Sequence, residues 1–397
     1  MKNKLFKKIK RRVKEIEPRI IETRREIHRH PEPAFKEYRT ADLIANKLKA
    51  MDAVVETGIA GTGVTALFTG GMEGPTVALR ADMDALKIEE QGDKPYRSRE
   101  DGMMHACGHD GHMAILLGVA EILQEIKDDL RGNVKLIFQP AEESTGGAKP
   151  MIEEGVLKNP EVEAVFGLHI WLDLPAGIVG IKRGPAFAAI DEFDILIKGR
   201  SAHAASPHQG VDSIVVSAEI INALQTIVSR MCDPLDPAVV TVGRIEAGTT
   251  YNVLAGSAKM QGTVRYLREE TGKEISGQIE NILNKFTSAH GAGYELNYRK
   301  NFPVLVNNEG LLSLVRKSAK EVVGSAGVRG MEKPTMGGED FAYFSRQVPG
   351  FFLFLGGRNE KKGIIAPHHS PRFDFDEAIL AQGTELFLHI LINYLLK

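Results

Sequence analysis

The sequence predicts an α/β protein: a mostly parallel-sheet domain interrupted by a smaller, inserted α+β domain of ferredoxin-like order. Three observations carry this. Apolar strand-like runs alternate with helical patterns in the first half and again near the end, the rhythm of a parallel sheet covered on both faces. From about Ala186 to Arg299 the order changes to β-α-β-β-α-β. And 397 residues exceed what one ordinary core accommodates.

The N-terminus is basic, with Lys2, Lys4, Lys7, Lys8, Lys10, Arg11 and Arg12. Leu5, Ile9, Val13 and Ile16 recur at helical spacing, and the polar stretch after Arg12 is not the apolar core of a signal peptide. An amphipathic first helix is expected. Val77–Leu79 then leads into Asp82 and Asp84, followed by an apolar helix over Met113–Ile126. Val134–Phe138 leads into Glu142 and Glu143, and Ala164–Leu168 into His169. Open α/β sheets place their sites beyond the C-terminal ends of strands, where these polar residues fall.

In the insertion Phe193, Ile195 and Ile197 alternate as in a half-buried strand. A helix over Val211–Arg230, strands over Val239–Ile245 and Lys259–Tyr266, a helix over Glu269–Ala289 and a strand over Tyr294–Arg299 complete it. The α/β pattern resumes with Phe351–Leu355. The expected division is therefore a discontinuous domain of residues 1–185 and 300–397 around an inserted domain of residues 186–299, with hinges at Gly184-Pro185 and Phe302-Pro303.

A hydrophobic content of 43% and a net charge of −2 describe a globular chain and call for neither nucleic acid nor a membrane as partner. No apolar run approaches the roughly 20 residues of a membrane span. Two cysteines, Cys107 and Cys232, form no disulfide framework and suit the reducing cytoplasm.

Four separated segments offer the residue types that bind divalent metals: HACGHDGH (105–112), PAEE (140–143), GLHI (167–170) and HHSP (368–371). Cys107 and His109, two residues apart beside a glycine, can reach one ion, and His105 and His112 compete with them on spacing alone. Adjacent carboxylates at Glu142 and Glu143 allow one to hold metal and the other to take a proton from water. His169 ends an apolar run; His369 has His368 as its rival. Asp82 and Asp84 can orient ligand imidazoles. Together these favour a metal-dependent hydrolase. Two other readings stand beside it: an amidase with Cys107 as nucleophile, and a catalytically silent binding protein.

The motifs RREIHRHPEPAFKE (24–37), LRADMDAL (79–86), MHACGHDGHMA (104–114), IFQPAEES (137–144), GLHI, GRSAHAASPHQGVD (199–212), MGGEDFAYF (336–344) and HHSPRFDFDE (368–377) appear in order over nearly the whole chain. In this the chain resembles the M20 metallopeptidase family, in its amidohydrolase branch of aminoacylase-like, hippurate-hydrolase-like and auxin-conjugate-hydrolase-like enzymes. The resemblance implies a two-metal site held by Cys107, His109, Glu143, His169 and His369, the last because it directly precedes Ser370-Pro371. It implies Glu142 as general base toward a metal-activated water. His203 matches a histidine that related dimers reach across to the partner's active site, where it stabilises the oxyanion. Asn252 and Arg265 match lid positions that hold the substrate carboxylate. The implied activity is hydrolysis of N-acyl amino acids by a homodimer joined through the inserted domain, with a dipeptidase as the neighbouring alternative. Manganese, zinc, cobalt and nickel all suit the mixed N, O, S donors. Where the family often reads NVIP, this chain has Asn252-Val253-Leu254-Ala255, without the proline turn. Glu339-Asp340 follows the family pattern without an assigned role.

Overall fold

The structure is a computed structural model that describes residues 2–396; Met1 and Lys397, the outer ends of the expected ranges, lie outside the described residues. The chain opens with α1 (Lys2–His28), α2 (Tyr38–Lys49), β1 (Val54–Ile59), β2 (Gly63–Thr69), β3 (Met72–Asp82), α3 (His109–Ile126) and β4 (Arg131–Gln139). It continues through α4 (Ala148–Glu153), β5 (Val162–Pro175), β6 (Val179–Ile181) and β7 (Gly184–Phe187). Next come β8 (Ala189–Lys198), α5 (Ser213–Thr226), β9 (Ala238–Ala247), β10 (Ser257–Tyr266), α6 (Glu269–His290) and β11 (Gly293–Phe302). The last part holds β12 (Leu305–Asn307), α7 (Glu309–Val323), β13 (Val328–Gly330), α8 (Phe341–Gln347), β14 (Gly350–Arg358) and α9 (Ala378–Leu395).

Two compact units result. One comprises Met1–Ala186, Val306–Lys333 and Asp340–Lys397, the other Phe187–Leu305 and Pro334–Glu339. The short segment Pro334–Glu339, within the 300–397 range expected of the first, groups with the second because its backbone joins there: Ala188 N–H donates to Thr335 O and Gly337 O.

The first unit is built on an eight-stranded sheet in the order β1-β2-β4-β3-β5-β14-β6-β13. Its centre, β4-β3-β5-β14, is parallel, with antiparallel pairing at β1-β2, β2-β4 and β14-β6. The central strands are near-continuous apolar runs because both sheet faces are buried. The α1 stripe of Leu5, Ile9, Val13, Ile16 and Ile20 is buried, as helical spacing dictates. α9 is apolar on nearly all sides, enough by length and composition to cross a membrane, and lies in the core beside α1, α3 and α7.

Two local expectations shift. α3 begins at His109 rather than Met113, since Gly108 at φ 90° turns the chain directly into the helix. β5 runs past His169 to Pro175, because Ile170, Leu172 and Leu174 carry the buried alternation onward.

The second unit is a four-stranded antiparallel sheet in the order β11-β8-β10-β9, the ferredoxin-like arrangement. Phe193, Ile195 and Ile197 of β8 pack against Val216, Ile220 and Leu224 of α5 and Ile275, Ile279 and Leu283 of α6. Asp212 caps α5 by accepting from Ile214 N–H, and Gly291 ends α6 in the left-handed region.

Candidate metal centre

Three loops and one strand of the first unit gather the ligand-type side chains. Cys107 stands just before the Gly108 turn, and His109 is the first residue of α3. Glu142 and Glu143 follow Ala141 in the loop after β4, and His169 lies in β5. The His369 loop is tied to the Cys107 loop by the His369 N–H, which donates to Ala106 O at 2.8 Å. His369 sits at φ 63°, a conformation that persists in a residue with a side chain only where the surroundings over-determine it.

Donor atoms of Cys107, His109 and His169 lie within 4.8 Å of one another, as do those of Cys107, Glu143 and His369, and those of His109, Glu142 and Glu143. The first two sets share Cys107. The structure thus brings together Cys107, His109, Glu143, His169 and His369, with Glu142 among them; His203, Asn252 and Arg265 belong to the second unit.

This donor set fits a divalent cation. His109 donates from Nδ1 to Asp84 O at 2.9 Å, so Nε2 is the atom left for a cation; it is buried and has no hydrogen-bond partner among the described residues. His169 Nδ1 is likewise committed to Ile170 O at 2.7 Å, leaving Nε2 3.4 Å from Cys107 Sγ. His369 Nε2 lies 3.1 Å from Glu143 Oε1. Burial, with Glu143 and Glu142 close by, pushes the Cys107 thiol well up. Against burial, Asp82, Asp84 and Glu143 push the His109 imidazole up to about 10. Burial also opposes the Glu143 carboxylate, which His369 and His109 hold below its ordinary value. These groups surround a concentration of negative charge that a cation would neutralise. Ligation would displace protons from Cys107 and His109, so affinity for metal must fall as pH falls. The raised thiol also argues against Cys107 as a nucleophile, which would have to react as thiolate.

Of the three competing histidines, His112 and His368 are settled by their hydrogen bonds and His105 by its place outside the donor groupings. His112 donates from Nδ1 to Asp82 Oδ1 at 2.6 Å and accepts at Nε2 from Ile170 N–H at 2.9 Å, so neither nitrogen is available. It braces the strand that carries His169. His105 joins none of the donor groupings and lies 6.4 Å, ring to ring, from His28. His368 bonds to Ile170 O at 2.8 Å and leaves the Glu143 contact to His369.

Asp82 and Asp84 both lie against imidazoles, of His112 and His109, and do further work besides. Asp84 meets His109 mainly through its main-chain carbonyl, while its carboxylate accepts the N–H groups of Glu142 and Glu143, both at 3.0 Å. Asp82 receives His112 on one oxygen and Arg80 on the other at 2.7 Å. Arg80 also reaches Gln139 at 2.8 Å and Asp340 at 2.8 Å, and Gln139 and Ala148 N–H donate to Asp340. Asp340, without an assigned role from sequence, therefore anchors the ends of β3 and β4. An arginine inside the apolar run of β3 was the sequence signal for this buried network.

In the second unit His203 and Asn252 are neighbours: Ala204 N–H donates to Asn252 O at 3.0 Å, and His203 bridges Val253. Ala205 N–H donates to His203 Nδ1 at 3.0 Å, which fixes the neutral ring as the Nε2–H tautomer, a hydrogen-bond donor at its exposed end. Arg265 lies on β10 opposite Ile190 and Val239, half-buried, with no hydrogen-bond or ion-pair partner among the described residues; burial lowers its pKa.

Residues 78–393 match the family model described as Peptidase family M20/M25/M40. The chain is 42% identical to Thermostable carboxypeptidase 2 of Saccharolobus solfataricus over 96% of each chain. It is 38% identical to N-acetylcysteine deacetylase of Bacillus subtilis over 94% of this chain and 96% of that one. Among solved structures, a Bacillus subtilis protein described as a dinuclear metal binding peptidase from the M20 family is 34% identical, with a TM-score of 0.84, over 96% of this chain and 99% of that one. The chain therefore belongs to the M20/M25/M40 peptidase family, as a hydrolase of amide bonds.

Proposed function

We propose that this protein cleaves the amide bond of N-acyl amino acids, using two divalent metal ions held by Cys107, His109, Glu143, His169 and His369. The observation that carries the reading is the buried Glu142 carboxylate set beside two donor groups that share Cys107. When bound, the metals would polarise the amide carbonyl and acidify the attacking water. Glu142 accepts the proton of that water and returns it to the leaving amine. His203, reaching as the Nε2–H tautomer from a second copy of the chain, donates to the oxyanion. Arg265, a half-buried cation with no hydrogen bond or ion pair among the described residues, pairs with the substrate carboxylate, aided by Asn252.

The 42% identity to a carboxypeptidase favours a second substrate class, peptides cut at the C-terminal residue. Both classes release an amino acid with a free carboxylate, so the same Arg265 contact serves either; the acyl side decides. The test is free-amine release from N-acetyl amino acids, blocked peptides and dipeptides, before and after chelation and with manganese or zinc restored. Release from N-acetyl amino acids, lost on chelation and regained with metal, is the expected result. Activity on peptides alone would select the carboxypeptidase reading. Activity indifferent to chelator but abolished by thiol alkylation would return Cys107 to the role of nucleophile.

A homodimer through the second unit is part of the same proposal. β9 is an edge strand, and edges left unpaired invite pairing with another chain. The same unit exposes large apolar side chains, among them Ile214, Val215, Met231, Ile245, Leu235 (86% exposed) and Tyr251 (98% exposed), which a second copy could cover. Sedimentation should give a dimer, with Ile245→Lys shifting it to monomer; a wild-type monomer would sink the idea. The free Cys107 ligand is consistent with the reducing cytoplasm.

A further inference from the structure

The loop that carries Glu142 and Glu143 is gripped at three consecutive main-chain N–H groups, and one of the grips comes from far upstream. Glu37 is fully buried at the start of α2. Its Oε1 accepts from Ala141 N–H at 2.9 Å, and its Oε2 accepts from the Thr62 hydroxyl at 2.5 Å. The next two N–H groups, of Glu142 and Glu143, go to Asp84. Ala141 is itself buried and sits at φ 58°, where a side chain is unfavourable.

A buried carboxylate needs a reason. Burial raises the pKa of Glu37, and the nearby Asp84 adds to that, so the group is not placed here for its own comfort. Its support is rigid: Glu32 accepts from Arg39 N–H and Thr40 N–H at the entry to α2, and Ala85 N–H donates to Glu32 O at 2.9 Å. The segment carrying Glu37 is thereby fastened to the loop carrying Asp84. Two buried carboxylates from separate segments thus hold one strained three-residue stretch.

We infer that Glu37 is a positioning residue for the proton-transfer loop: by accepting the Ala141 N–H it keeps Ala141 in the left-handed region and so aims the Glu142 carboxylate. The inference rests on the reading of Glu142 as the base. Its action is through the backbone, and it touches neither metal nor substrate. Asp84 holds Glu143 independently, so metal loading does not depend on Glu37.

Three variants of the metal-loaded protein test this. In Glu37→Ala, amide exchange should lose protection at Ala141, while turnover falls on the order of 100-fold, the size of effect that a small misplacement of a reacting group produces. KM and metal stoichiometry should stay as in wild type. Glu37→Gln, which keeps an acceptor for Ala141 N–H, should recover most of the turnover; a role in fold stability or net charge alone predicts no such split. Thr62→Val frees Oε2 while leaving Glu37 in place and answers the same question should Glu37→Ala not fold, with lowered turnover at constant KM expected. Unchanged protection at Ala141 in Glu37→Ala, or unchanged turnover in Thr62→Val, would overturn the inference. Amide exchange needs no substrate, so it stands if no N-acyl amino acid is cleaved, whereas full turnover in a Glu142 variant would defeat the base assignment alone.

Discussion

Glu142→Gln retains its metals and loses on the order of 1,000-fold in turnover, within the range that removal of a positioned general base produces. The substitution keeps size and one acceptor oxygen but removes the basic oxygen that would take the proton. Its backbone remains fixed, because Asp84 holds the N–H groups of Glu142 and Glu143 through main-chain hydrogen bonds that do not involve the Glu142 side chain. Glu143→Gln behaves differently, since Glu143 is a donor in the grouping with Cys107 and His369 and in that with His109 and Glu142, and its loss lowers metal content as well as rate. The check is kcat alongside metal content for the two variants. A Glu142 variant that kept more than about a tenth of wild-type kcat would remove the residue from its role.

The second large effect is on stability. Arg24 is fully buried, donates to Asp110 at 2.6 Å, Asp374 at 3.0 Å and Glu377 at 3.1 Å, and lies between the rings of Tyr96 and Phe375 at 4.7 and 4.4 Å. Arg24→Ala would leave the buried Asp110 carboxylate with only His28 facing it, while Glu377 keeps Arg25 and Asp374 keeps Lys94; breaking this buried ion pair costs about 3–5 kcal/mol. Arg24→Lys recovers only part, because an ammonium cannot match the planar fork. The sign with pH follows from Asp110: burial opposes its ionisation, but Arg24 and His28 hold the carboxyl far below its ordinary value. Its contribution is therefore complete above the ordinary carboxylate range and is lost only as pH falls below it. Denaturant unfolding of wild type and Arg24→Ala at neutral pH measures the difference; a change under about 1 kcal/mol would show that the cluster contributes little beyond packing.

Much of the site was legible because its residue types are chemically distinctive. A cysteine and histidine flanking a glycine, and two adjacent glutamates after an apolar strand, announce metal and proton chemistry wherever they occur together. The supporting residues were harder to see. Asp84 orients the His109 imidazole, as its position suggests, but that its carboxylate also holds the Glu142–Glu143 backbone is not visible in the sequence. Glu37 stood in a quoted motif without a role, since nothing local distinguishes a buried glutamate from a solvated one.

By itself the sequence determined the rhythm of strands and helices, the inserted β-α-β-β-α-β segment and the pool of donor side chains. Each is a matter of local periodicity or residue chemistry, which travels with the chain. The tertiary structure alone decided which histidines are spent on hydrogen bonds and which nitrogens remain. His112 is occupied by Asp82 and Ile170, and the His109 Nε2 has no hydrogen-bond partner among the described residues. It likewise decided that Arg80 joins Asp82 to Asp340, 260 positions further along the chain. Hydrogen-bond partners are chosen by proximity in space, and a burial that removes water turns each choice into an obligation that no neighbour in sequence reveals.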